Sequence, residues 1–230
     1  MSLPTLNELP KYELTLPSTG KKIKFRPYLV KEEKVLMMAA ETKDANQIMN
    51  TVIDTVSACV TNDVNVSKLT TFDLEYLFIK LRAKSVGEKA SLNIKCKSCE
   101  HENSYELDLD DIVCESKPRN NIIELDDKVS VQMRYPSYVD LKDVGDEEEM
   151  GFNILSSSLE AVFLNDEKID IEDETQESVK RFLESMTREQ FKKVTSFLFD
   201  IPKVACDIDF DCVKCNEHTH IELRGIQDFF

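Results

Sequence analysis

The residues of this chain best suited to do chemistry are its cysteines. There are seven: Cys59, Cys96, Cys99, Cys114, Cys206, Cys212 and Cys215. Four of them form two Cys-x-x-Cys pairs, Cys96/Cys99 and Cys212/Cys215. Such a pair at a β-turn, a knuckle, aims two thiolates at one point and supplies half of a tetrahedral metal site; two knuckles complete the four-cysteine set of a zinc ribbon. The expectation is therefore one zinc held by Cys96, Cys99, Cys212 and Cys215. Four thiolates leave no open position, so this zinc would be structural. The thiolates must be ionised, and the metal–sulfur bonds offset that proton cost. A separation of 113 residues between Cys99 and Cys212 is not standard for a ribbon, and the intervening chain must return its ends to one place.

Other readings stay open. A thioredoxin-type redox pair opens a helix, whereas both pairs here lie between strand-like runs. Relic knuckles without metal are a second possibility. His101, His218 and His220 are alternative ligands, although each stands where an exposed strand or turn residue would. Cys59 lies on an apolar stripe and reads as a small buried hydrophobe. Cys114 and Cys206 read as core or strand filler. An odd cysteine count in a chain whose start, Met1 to Lys11, lacks the apolar core of a signal peptide speaks against a disulfide framework.

The elements that must position the knuckles follow from periodicity. Tyr12 to Leu16 and Ile23 to Phe25 alternate apolar and polar around the turn Pro17-Ser-Thr-Gly20, which predicts a hairpin over about 12–26. Leu29 to Ala40 reads as a short helix. Ala45 to Val60 places Ile48, Val52, Ile53, Val56 and Val60 on one helical stripe. A third helix follows Thr71, with Leu74, Leu77, Phe78 and Leu81 on its buried face. Ser91 to Cys96 and Tyr105 to Leu109 read as strands flanking the first knuckle. In the second half, Val129, Val131 and Met133 alternate, Ser137 caps a short helix to about Val144, and Glu148 to Leu164 reads as a longer helix. Thr187-Arg-Glu-Gln190 has capping-box spacing and starts a helix carrying Phe191, Val194 and Leu198 that Pro202 stops. Cys206 to Cys212 and His220 to Arg224 are strand-like around the second knuckle.

The halves parallel each other. Leu92-x-Ile94-x-Cys96-x-x-Cys99 matches Ile208-x-Phe210-x-Cys212-x-x-Cys215 at an offset of 116, and Tyr105-Glu-Leu107 matches Ile221-Glu-Leu223. Leu74, Leu77 and Leu81 align with Phe191, Val194 and Leu198 at an offset of 117, and Ala58–Asp63 resembles Ala161–Asp166. The expected fold is α+β: two similar lobes, 1–118 and 119–230, arising by internal duplication and joined at a zinc-ribbon-like element of four cysteines. Coincidence of generic patterns is the competing explanation.

Composition narrows the function classes. The chain has 230 residues, 41% hydrophobic and 32% charged, and a net charge of −15. It can build a core, and its acidity repels a phosphate backbone, so nucleic acid is not an expected partner. Residues 140–184 carry 15 acidic and 4 basic residues, whereas residues 1–34 carry 4 acidic and 7 basic. The acidic stretch reads as a solvated face, or as a surface that docks a basic partner. No phosphate loop, Gly-x-Ser-x-Gly or His-Glu-x-x-His occurs, and no active site is expected. No apolar run approaches the ~20 residues of a membrane span. Folding in cytoplasm is expected.

Two stretches carry a family resemblance. One is Lys11-Tyr-Glu-Leu-Thr-Leu-Pro-Ser-Thr-Gly20 with Lys24-Phe-Arg-Pro-Tyr-Leu-Val-Lys-Glu-Glu-Lys-Val-Leu36. The other is Phe72-Asp-Leu-Glu-Tyr-Leu-Phe78 running into Leu81-Arg-Ala-Lys-Ser-Val-Gly-Glu88. Together they resemble the baseplate hub assembly proteins of T-even-type contractile-tailed phages, most densely over 11–110. The resemblance implies a non-enzymatic component or assembly factor of the central hub. Its partners would be other baseplate and hub proteins, and it would be made in the host cytoplasm and carried in the virion or released. A zinc-ribbon nucleic-acid or transcription adaptor and a thiol oxidoreductase are the alternatives.

Overall fold

In chain order the elements begin with strands β1 (Tyr12–Thr15) and β2 (Lys22–Phe25) and helices α1 (Val30–Thr42), α2 (Ala45–Cys59) and α3 (Thr71–Ser85). Strands β3 (Lys89–Lys95), β4 (Glu102–Asp108), β5 (Val113–Cys114), β6 (Ile122–Glu124) and β7 (Val129–Met133) follow. Next come α4 (Tyr138–Lys142), α5 (Glu147–Ser158), β8 (Leu159–Leu164), β9 (Glu167–Asp170), α6 (Gln176–Glu184), α7 (Arg188–Phe199), β10 (Val204–Asp211) and β11 (His218–Arg224). The structure, a computed structural model, describes residues 9–114, 121–142, 147–165 and 167–225. The chain is α+β, as expected.

Contacts divide it into two units: Met1–Val66, Phe72–Ser116 and Lys203–Phe230 form the first, Ser67–Thr71 and Lys117–Pro202 the second. The division expected at 118/119 falls outside the described residues, and it assigns the second Cys hairpin to the second lobe. The contacts put β10 and β11 in the first unit. The Cys element expected to join two lobes therefore lies inside one unit. The physical reason is pairing: β5 lies antiparallel to β10, with Val204 opposite Cys114 and Ala205 opposite Val113.

In the first unit, α3 is buried nearly all round. Phe72, Leu74, Leu77, Phe78, Ile79, Leu81 and Ala83 are all excluded from solvent, so it is an interior helix rather than a one-faced one. Two charged residues on it are buried as well, and each has partners. Asp73 accepts the Ser18 N–H (3.0 Å) and the Ser18 hydroxyl, fastening the β1–β2 turn. Lys80 Nζ donates to the carbonyls of Leu109 (2.9 Å) and Asp110 (2.8 Å), gripping the chain where β4 gives way to β5. Burial lowers the Lys80 pKa, as desolvation disfavours its charge.

Helix α1 turns a carboxylate inward and leaves several apolar side chains outward. Glu32 is buried because it accepts the Leu29 N–H (2.7 Å) at the helix start and pairs with Arg26 (3.1 Å). Val30, Val35, Met37 and Met38 are instead exposed.

The second unit is a four-stranded antiparallel sheet, β6-β7-β8-β9, with its core formed by Leu125, Val131, Met133, Leu155, Leu159, Val162, Val179, Leu183, Val194 and Phe197. The helix expected over Glu148–Leu164 is corrected here, because it ends at Ser158. The hydroxyls of Ser157 and Ser158 bond back to the Ile154 carbonyl at 3.0 and 2.7 Å, and the Ser158 carbonyl accepts the Arg134 N–H. From Leu159 the chain runs as a strand between β7 and β9. The likeness of Ala58–Asp63 to Ala161–Asp166 is likewise not structural. The first segment closes α2, the second lies on β8, and Asp166 is outside the described residues. Helix α6 has no counterpart among the expected elements, although Thr175 caps it and Val179 and Leu183 bury one face at i, i+4 spacing. The capping box of α7 is present as expected. Among the described residues no helix is long and apolar enough to cross a membrane.

Ser137 caps α4, whose described length ends at Lys142, while Val144 lies outside the described residues. Asp140 accepts the Ser137 N–H and hydroxyl (both 2.7 Å) and a two-pronged contact from Arg134 (2.8 and 2.9 Å). Burial opposes its charge, but Arg134 and Ser137 outweigh it and hold the carboxyl below its usual range. Because the folded pKa is depressed, the stabilisation is present above the ordinary aspartate value of about 3.9 and is lost as pH falls through the folded value. Asp140→Asn should cost about 1–3 kcal/mol in urea unfolding at pH 7. The penalty should shrink near pH 2; an equal penalty at both pH values would contradict this role.

Candidate metal centre

Each knuckle is made by a hairpin whose strands are fully paired up to the cysteine turn. In the first, β3 and β4 pair from Lys89 opposite Asp108 to Lys95 opposite Glu102. In the second, β10 and β11 pair from Ala205 opposite Arg224 to Asp211 opposite His218. Every one of these pairs maps onto its counterpart at the offset of 116.

The turns match as well. Cys96 N–H donates to the His101 carbonyl (2.9 Å) and Glu100 N–H to the Cys96 carbonyl (3.0 Å). Cys212 N–H donates to the Glu217 carbonyl (3.0 Å) and Asn216 N–H to the Cys212 carbonyl (2.9 Å). Both turns need one residue in the left-handed region: Glu100 and Asn216 each have φ 56°. Asn tolerates that conformation better than Glu does.

The four sulfurs come together. Cys96 Sγ lies 3.7 Å from Cys215 Sγ, and Cys99 Sγ lies 3.7 Å from Cys212 Sγ. All four lie within 4.8 Å of one another. A disulfide would bring two sulfurs to about 2.05 Å, so these are free thiols. A tetrahedron with metal–sulfur bonds of about 2.3 Å has edges of about 3.8 Å, which is the spacing of the two close pairs. Soft sulfur donors at this spacing can hold a metal ion.

The knuckle backbone favours thiolate at Cys96 and Cys212, whereas at Cys215 the Glu217 N–H pulls downward but the neighbouring cysteines and burial outweigh it and push the thiol up to about 12. Ser98 N–H donates to Cys96 Sγ at 3.4 Å. The N–H groups of Cys99 and Ser98 lower the Cys96 pKa. At Cys212 burial pushes upward, but the N–H groups of Cys215 and Lys214 outweigh it and bring the thiol down to about 6. Cys96 and Cys212 are buried, Cys99 is half-buried and Cys215 is exposed, which leaves one side open for an ion to enter.

The remaining candidates stay apart. No histidine joins the metal-capable cluster among the described residues. His218 and His220 are exposed and face carboxylates, with Nδ1 3.0 Å from Asp211 and Asp209 respectively. Cys59 is fully buried, and burial pushes its thiol up to about 11. Burial, aided by Asp73 and Glu75, pushes Cys114 up to about 12. Burial raises Cys206 too. In all three, burial disfavours the thiolate, which is the reactive form.

Two positioning features had no sequence signal: the buried grip of Lys80 and the side chain of Asn103, whose Oδ1 accepts the Val213 N–H (3.0 Å) across the two hairpins.

No curated protein and no solved structure matches this chain. A family model does, that of the T4 bacteriophage base plate protein, over residues 9–230. A match running through both units and both knuckles establishes that the chain belongs to the T4-type phage base plate protein family.

Proposed function

We propose that this chain is a non-enzymatic component or assembly factor of the baseplate central hub that works through protein–protein contacts, with Cys96, Cys99, Cys212 and Cys215 holding one structural zinc. The family match over 9–230 carries the baseplate part of this reading. On α1, Val30, Val35, Met37 and Met38 are each more than half exposed, which supports contact with other proteins. Thioether side chains adapt readily to a partner's shape.

The zinc part rests on the sulfur spacing. Zinc would supply four bonds to thiolate and, with no open position, no chemistry on a substrate. The chain's own contribution is to present the sulfurs: two paired hairpins set the turns, and turn N–H groups stabilise the ionised sulfurs of Cys96 and Cys212. The matching registers of the hairpins support the reading of an internal duplication. The same family supports a place in the tail baseplate, and synthesis in the host cytoplasm is part of the proposal.

Freshly purified protein should contain about one zinc per chain by elemental analysis; metal-free protein would remove the zinc reading. Cys212→Ser should lower zinc content and the unfolding midpoint together. Because the ligands must be deprotonated, zinc should be released as pH falls; retention of zinc through the acid range would count against thiolate ligation. In cells expressing the whole tail set, the chain should co-purify with baseplate proteins, and Met37→Asp with Met38→Asp should reduce that recovery without changing the circular dichroism. Recovery of the chain alone would oppose the hub assignment, and mass spectrometry of purified virions tells a resident component from a released factor.

A further inference from the structure

Each knuckle fixes its own two sulfurs, but the spacing between knuckles must be set by something else. We propose that Asn103 is a positioning residue for the metal centre, locking the second cysteine turn against the first; this rests on the four cysteines holding a metal.

Asn103 is the second residue of β4 and only 4% exposed. Its Nδ2 donates to the His101 carbonyl at 3.0 Å and lies 3.5 Å from the Ile94 carbonyl. Its Oδ1 accepts the Val213 N–H at 3.0 Å. Carbonyls on one side and an N–H on the other leave only one orientation of the amide that satisfies all three groups. Its partners matter. The His101 carbonyl also accepts the Cys96 N–H that closes the first knuckle. Val213 sits between Cys212 and Cys215 and is 76% exposed, so it gains little anchorage from packing. One buried amide thus grips the closing carbonyl of one turn and the backbone just past a ligand of the other.

Lys97 Nζ, donating to the His220 carbonyl at 2.9 Å, makes a second link between the hairpins, but it is exposed and on a flexible stem. At the register equivalent to Asn103 the second hairpin carries Thr219, 3% exposed, so this strand position houses a threonine. Groups that orient metal ligands from outside typically change affinity about 10–100-fold when removed.

The test is Asn103→Thr, which keeps a strand-compatible residue but cannot make the three contacts. Cobalt(II) or zinc is titrated into metal-free native and variant protein against a competing chelator, with the cobalt–thiolate absorption recorded. The expected result is binding of one ion by both, weakened about 10-fold or more in the variant, with faster release to chelator and unchanged far-ultraviolet circular dichroism. Equal affinity and release rate would overturn the role of Asn103 while leaving the metal reading intact. No uptake by the native protein would overturn both. Should the variant fail to fold, amide exchange in the native protein decides: Val213 N–H should exchange far more slowly than a free turn amide, and exchange at the free rate would overturn the proposal.

Discussion

Two turns 113 residues apart in the chain must meet within hydrogen-bonding distance, and the first unit is organised around that closure. The entropy lost in closing a loop grows only with the logarithm of its length, so the long excursion through the second unit costs little more than a short one. What the closure demands is interactions that fix where the returning chain lands. Those interactions form a sequence. Lys80 of the interior helix holds the carbonyls of Leu109 and Asp110, β5 follows and pairs with β10, and the Tyr105 and Phe210 rings lie 6.4 Å apart where the two hairpins meet. Asn103 and Lys97 then join the hairpins next to the cysteine turns.

The two hairpins share a backbone and differ in their outward chemistry. The first carries Lys–Glu rungs, Lys89 with Glu106 and Lys95 with Glu102. The second carries Asp207, Asp209 and Asp211 facing His218 and His220. Exposed pairs of this kind contribute little to stability. The common features are the pairing register, the left-handed turn residue and the cysteine pair. The knuckle backbone is thus the part of these hairpins most tightly tied to the sulfur arrangement.

Much of this was legible in the residues, and the misses have physical causes. The Cys-x-x-Cys spacing between alternating strands announced both knuckles, because a turn of that length leaves few conformations. The capping box at Thr187 was readable for the same local reason. The segment Glu148–Leu164 was not, since Leu155, Leu159, Val162 and Phe163 fit a helical stripe. Only the serines bonding back to Ile154 and the pairing of β8 with two neighbours show that the helix stops. The place of β10 and β11 in the first unit rests on pairing with a two-residue strand, β5, too short to leave a periodic trace, and on side-chain links between the hairpins that follow no sequence pattern. Asn103 looks like any polar strand residue until a second hairpin is placed against it.

The claim on which the whole arrangement turns is that four cysteine sulfurs from two distant hairpins surround one ion. X-ray absorption at the zinc edge on the purified, metal-loaded protein tests this most directly. The expected spectrum is a single shell of four sulfurs at about 2.3 Å. A shell containing imidazole nitrogen or carboxylate oxygen, or sulfur in a number that one knuckle alone supplies, would contradict it.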